Sequence, residues 1–194
     1  MDAVLTTMVA EQIGPGEQHK KLISLIKEKY NFEHSIALRS PVMALELALE
    51  AFDFPKGSEI IISAFSPSYY YNVIVKAGFV PIYADVNELT GQIEVDTVQG
   101  LISPKTAAIV LYPSLGNWLM TESFQELGLP IIEDISQSYG SLENTEYIKP
   151  SAHLTILGLE EKDILTAGGG ALLCAMNKRE AAVLRKFSHL PAEY

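Results

Sequence analysis

One cysteine, Cys174, is too few for an intrachain disulfide framework or a multi-cysteine metal site. The four histidines, His19, His34, His153 and His189, lie far apart and form no HxH or HxxxH pair, so metal-ligand spacing is missing too. Basic residues are scarce: 14 Lys and Arg against 24 Asp and Glu leave a net charge of −10. A nucleic-acid backbone is gripped by clustered Lys and Arg that release its counterions, so no nucleic-acid partner is expected. No apolar run approaches the ~18 residues that cross a bilayer, and no membrane association is expected. Residues 1–10 have no basic n-region and do not read as a signal peptide. Neither GxGxxG nor GxxxxGK[ST] occurs. The expectation is a reduced, cytoplasmic protein.

What is present is apolar and ordered. Hydrophobic residues make up 48% of the 194, enough for one sizeable core. Strand-sized runs rich in Ile, Leu and Val occur at Ser35–Leu38, Glu59–Ser63, Val80–Ala84, Ala108–Tyr112, Pro130–Glu133, Leu154–Leu159 and Ala171–Ala175. Most lack a polar alternation, as strands covered on both faces do. Helical patterns fall between them at Gln18–Tyr30, Pro41–Phe52, Ser66–Ala77, Val95–Leu101, Thr121–Leu127 and Lys178–Ser188. Ser40-Pro41 reads as an N-cap followed by proline at the first helical position. This alternation predicts βαβ units and a largely parallel sheet. The last two strands are joined by a turn ending in Gly168-Gly169-Gly170 rather than by a helix, which suits an antiparallel edge or a return strand. Ser141–Ser151 reads as a polar surface loop. The chain is expected to be a single domain over 1–194.

Ligands of open parallel sheets sit at the carboxyl ends of the strands, so the residues after each strand are the candidates. They include Arg39-Ser40-Pro41, the hydroxyl- and aromatic-rich 63–72 segment, Glu133-Asp134-Ile135-Ser136-Gln137, and Glu160-Glu161-Lys162-Asp163. The topology predicts that Asp134, Gln137 and Lys162 converge near one edge. Ile131 to Gly140, IIEDISQSYG, resembles the "IEDAAQAHG" segment of the DegT/DnrJ/EryC1/StrS aminotransferases. Further blocks resemble that family in the same order. They are Ala44–Leu49 ("ALHLAL"), Gly57–Ile62 ("GDEVIVP"), Ala77–Val86 ("AGATPVFVDI") and Lys162 to Ala171 ("TKNLGAGEGGA"). The resemblance runs from about Ile13 onward.

The resemblance implies an α/β, three-layer α/β/α fold with a mostly parallel sheet. That is the large domain of a pyridoxal-phosphate-dependent transferase, here without the C-terminal small domain. It implies pyridoxal 5′-phosphate as cofactor, with Lys162 as the catalytic Schiff-base lysine. Asp134 would be the partner of the pyridine nitrogen and Gln137 a contact near the ring hydroxyl. Ser40 would be what remains of the phosphate site, and Tyr69 or Tyr70 an aromatic shifted into the stacking position. An amine can act as a covalent nucleophile toward a carbonyl, and a carboxylate can keep the pyridine protonated as an electron sink.

The family's phosphate-binding "SGTA" is Ser40-Pro41-Val42-Met43 here, which removes a glycine, a hydroxyl and one backbone N–H. Its stacking position falls on Pro67, a phosphate-side serine on Leu157, the threonine before the lysine on Glu161, and a histidine on Pro113. Three readings stand side by side: a sugar aminotransferase acting on a keto-sugar or amino-sugar, a non-catalytic relative serving as a binding scaffold, and one half of a split enzyme completed by a separate C-terminal chain. The resemblance also implies a homodimer.

Overall fold

The computed structural model describes residues 2–9, 16–143, 146–147 and 149–188. His189 and the start of the family resemblance near Ile13 lie outside them. The helices are α1 (Asp2–Val9), α2 (Glu17–Tyr30), α3 (Pro41–Ala51), α4 (Tyr69–Lys76), α5 (Val95–Leu101), α6 (Thr121–Gln125) and α7 (Lys178–Ser188). The strands are β1 (His34–Leu38), β2 (Glu59–Ser63), β3 (Val80–Ala84), β4 (Thr106–Leu111), β5 (Ile131–Asp134), β6 (Leu142–Glu143), β7 (Glu146–Tyr147), β8 (Leu154–Gly158) and β9 (Ala171–Ala175).

Seven strands form one sheet in the order β1-β9-β8-β5-β4-β2-β3. β8, β5, β4, β2 and β3 run parallel, while β9 is antiparallel to both neighbours. β1 is therefore parallel to β8, and the carboxyl ends of β1, β2, β4, β5 and β8 share one edge. The antiparallel return at β9 matches the expectation, but β9 is interior and β1 forms the edge. The 141–151 loop carries a small β6–β7 hairpin that its composition did not announce.

Side chains alternate across the sheet. Ile60, Ile62, Val110, Ile132, Ile156 and Leu173 pack on one face beneath α3, α4 and α7. On the other face Ile61, Ile109, Leu111 and Ile131 meet α5 and α6, and Leu157, Leu172 and Cys174 meet α2. Helices thus cover both faces, giving three layers. Strands enclosed on both sides need no polar face, which explains their unbroken apolar runs. α3 starts where Ser40 and Pro41 place it. The Ser40 side chain accepts a hydrogen bond from the Met43 N–H at 3.3 Å, and Pro41 stands where no N–H is needed. α4 starts later than the pattern suggested, because Ser63 to Ser66 close a turn and the helix begins only at Tyr69; the Ser68 side chain makes no capping bond.

Candidate functional site

The alternation that builds the core sends two adjacent carboxylates of β5 to opposite faces. Asp134 faces the α4 side, and Glu133 faces the α6 side. Both are essentially fully buried.

Asp134 is held by four hydrogen bonds, all from uncharged donors. Its Oδ1 accepts from the Ser136 N–H at 3.0 Å and from the Ser136 hydroxyl. Its Oδ2 accepts from the Tyr70 hydroxyl at 2.7 Å and the Tyr69 hydroxyl at 3.2 Å. Burial pushes the Asp134 carboxyl above its ordinary range, and the Ser136 and tyrosine bonds oppose that shift. Burial and the nearby Asp134 charge push the phenols of Tyr69 and Tyr70 up, so both stay protonated donors at neutral pH. Tyr112 is edge-on to Tyr70, with ring centroids 6.0 Å apart. Burial, with Asp134 and Asp163 adding to it, pushes its phenol up to about 12.

The loop after β8 is tied to the turn after β5. Gln137 Nε2 donates to the Lys162 carbonyl at 3.1 Å and to Asp163 Oδ1 at 3.1 Å. Asp163 Oδ2 accepts from the Glu160 N–H at 2.8 Å, and the Ile164 N–H donates to the Ser136 carbonyl at 3.3 Å. The Gly158 N–H donates to the Ser136 hydroxyl oxygen at 2.7 Å. Gly158 is required there, because a Cβ would lie 2.3 Å from Asp163 Oδ2 and 2.7 Å from Ser136 Oγ. Gly170, with φ of +107°, lets the loop return past the end of β1, where a Cβ would come within 3.3 Å of the Leu38 carbonyl.

Of the five residues expected from the sequence, Asp134 ends β5, and Ser40, Tyr69, Gln137 and Lys162 follow strands that end on this edge. Asp134, Gln137 and Lys162 are brought together as the topology predicted. Lys162 itself is exposed, and its backbone carbonyl makes the link to Gln137. Tyr69 joins the cluster through its hydroxyl. Ser40 is the N-cap of α3, its oxygen bonded to its own helix. Sequence reasoning missed Tyr70 as a ligand of Asp134, as well as Ser136 and Asp163. The Asp134-x-Ser136 spacing, suited to a side chain bonding the backbone two residues on, was the available signal for Ser136.

Comparison with known proteins decides the relationship. Residues 1–191 match the profile described as the DegT/DnrJ/EryC1/StrS aminotransferase family. The chain belongs to this family. As an aminotransferase-like member it is 26% identical, over 93% of its own length, to an L-glutamine:2-deoxy-scyllo-inosose aminotransferase of Streptomyces lividus. That match covers 43% of the Streptomyces protein, so the chain spans less than half the length of this curated relative. Among solved structures it superposes on Helicobacter pylori PseC, an aminotransferase involved in the biosynthesis of pseudoaminic acid. The TM-score is 0.88 at 22% identity, over 97% of this chain and 52% of that one. It also superposes on NtdA of Bacillus subtilis, whose structure carries the cofactor PMP, with a TM-score of 0.85 at 23% identity, over 97% of this chain and 43% of that one. At these identities the structural matches establish the fold alone. A pyridoxal-type cofactor is a property of this family. Among the described residues no helix is long and apolar enough to cross a membrane.

The ring side of such a cofactor fits the residues present. Asp134 is a buried carboxylate at a strand end whose donors are all neutral, and a protonated ring nitrogen is a cationic partner that suits it. The phosphate side is poorer. Ser40 is engaged as a cap, Pro41 has no N–H, and Val42 has no hydroxyl.

Proposed function

We propose that this chain is the cofactor-face half of a pyridoxal-phosphate-dependent sugar aminotransferase, forming its large domain as one unit over 1–194. The observation that carries the reading is the Gln137 side chain, which ties the Lys162 loop to the turn bearing Asp134. When bound, pyridoxal phosphate supplies an aldehyde that condenses with amines and a ring that withdraws electrons from the attached carbon. Asp134 holds a proton-bearing ring nitrogen by charge and hydrogen bond. Gln137 and Asp163 fix the backbone on both sides of Lys162, so that its amine is presented from an anchored loop. Lys162 is the residue whose amine takes and returns protons at the reacting carbon. Ser40 contributes the remaining hydroxyl on the phosphate side.

The substrate class is a keto-sugar or amino-sugar, by analogy with the inosose aminotransferase relative. We also infer a cytoplasmic location and a homodimer; sedimentation at micromolar concentration checks the homodimer.

A second reading, a non-catalytic scaffold, draws on the phosphate side, where Pro41 and Val42 leave few donors. One experiment separates the two: absorbance of the protein incubated with pyridoxal phosphate and desalted, beside Lys162→Ala. A yellow band retained by the protein and missing from the variant supports the aminotransferase reading. No difference between the two overturns Lys162 as the cofactor's lysine.

A further inference from the structure

A carboxylate offers about four acceptor positions, and at Asp134 all of them are filled by the protein itself. A new N–H donor therefore has to displace one of the four bonds. The two on Oδ1 belong to Ser136, whose hydroxyl oxygen also accepts the Gly158 N–H at 2.7 Å, in a turn anchored to β8. The Tyr70 bond on Oδ2 is short, 2.7 Å, and its ring is fully enclosed between Tyr69 and Tyr112. The Tyr69 bond is the longest at 3.2 Å. Its side chain is only partly covered, and it is the first residue of α4, a helix start without a side-chain cap. By bond length, enclosure and anchorage, Tyr69 is the donor that yields.

We infer that the Tyr69 hydroxyl occupies the position on Asp134 Oδ2 that a pyridine-type N–H donor takes, so that Tyr69 swings away from Asp134 when such a ligand enters. This rests on the reading of Asp134 as the ring-nitrogen partner. Tyr69 is then a built-in competitor of the ligand rather than a stacking platform. It keeps the buried carboxylate satisfied while the site is empty and lowers affinity for a ring in proportion to its own bond.

The test uses pyridoxine 5′-phosphate, which has the ring nitrogen but no aldehyde, so that no bond to Lys162 contributes. Its dissociation constant is measured by calorimetry for the full chain and for Tyr69→Phe, Tyr70→Phe and Asp134→Asn. Urea unfolding of each variant confirms that it is folded. The expected result is binding about tenfold tighter for Tyr69→Phe than for the unmodified chain, the cost of one hydrogen bond to a charged acceptor. Tyr70→Phe frees a position that Tyr69 and Tyr112 keep enclosed, so it should bind no tighter, and Asp134→Asn should bind more weakly. Equal affinity of Tyr69→Phe and the unmodified chain, with Asp134→Asn weaker, overturns the competitor role and leaves the Asp134 reading standing. Unchanged binding by Asp134→Asn, or no binding by any form, overturns both. A second measurement needs no variant: nitration of Tyr69 by tetranitromethane should rise at saturating ligand, and unchanged nitration overturns the proposal.

Discussion

Glu133 provides the sharpest test of the electrostatics. Its carboxylate is fully buried, and neither oxygen completes a hydrogen bond within the described residues, although the Thr121 hydroxyl and the backbone of Ser151 and Ala152 lie close enough to ease its charge. Burial pushes the group from its ordinary 4.5 up to about 8. The folded state therefore keeps a proton over a range in which the unfolded chain has lost it. Stability must fall as pH rises from the unfolded value and level off only above about 8. With those two values this single group removes about 2.5 kcal/mol of stability between about pH 5 and pH 7. Glu133→Gln removes the titration and leaves the shape nearly intact. The assay is urea unfolding of both proteins across that pH range, comparing the difference between them. Every other group, including the neighbouring Asp134, is common to both curves, so any fixed cost of the amide cancels from the slope. The variant should gain on the parent by about 2.5 kcal/mol over the window. Parallel curves would refute the reasoning and mean that Glu133 ionises in the folded protein as readily as in water.

Other consequences can be checked directly. Gly158→Ala places a methyl 2.3 Å from Asp163 Oδ2 and 2.7 Å from Ser136 Oγ. It should destabilise the fold by about 2 kcal/mol or more, seen as a lower urea midpoint. Tyr70→Phe leaves a buried acceptor on Asp134 unpaired and should cost about 1–3 kcal/mol in the same assay. Ser40→Ala removes the α3 cap and should cost about 1 kcal/mol. Cys174 is fully enclosed, and burial pushes its thiol up to about 12. It should not react with a disulfide reagent at neutral pH until urea unfolds the chain.

The fold was legible where a single physical signal acted alone. β2 and β9 occupy the residues their apolar runs predicted, because strands covered on both faces are selected simply for being apolar; the half-exposed edge strand β3 also falls where its run placed it. α3 begins where Ser40 and Pro41 place it, because capping is local chemistry. The start of α4 was not legible, since Ser63 to Ser66 form a turn closed by the Ser66 N–H on the Ser63 carbonyl, and that backbone bond delays the helix to Tyr69. The site divides the same way. Strand order alone puts Asp134, Gln137 and Lys162 on one edge. That Tyr70 reaches Asp134 depends on how α4 lies across the sheet, and no spacing along the chain encodes that. The opposite destinations of Glu133 and Asp134 follow from the two-residue period of a strand, yet two adjacent acids in a sequence give no hint that each will be buried alone.

The pairing of β1 with β9 has a consequence for how this protein acquires its structure. His34 meets Ala175 and Leu38 meets Ala171, so one of the earliest strands waits for one of the last. Joining segments so distant closes a very long loop, and such closures are slow compared with local helix formation. During synthesis β2, β3 and β4 can assemble while β1 is still without a neighbour, and β8 is left with an open side until β9 emerges. Until then the growing chain presents unpaired strand edges, the kind of surface on which chains associate wrongly. β9, which carries the chain back from the Gly168–Gly170 turn through the sheet interior, is thus also the strand that seals the nascent sheet.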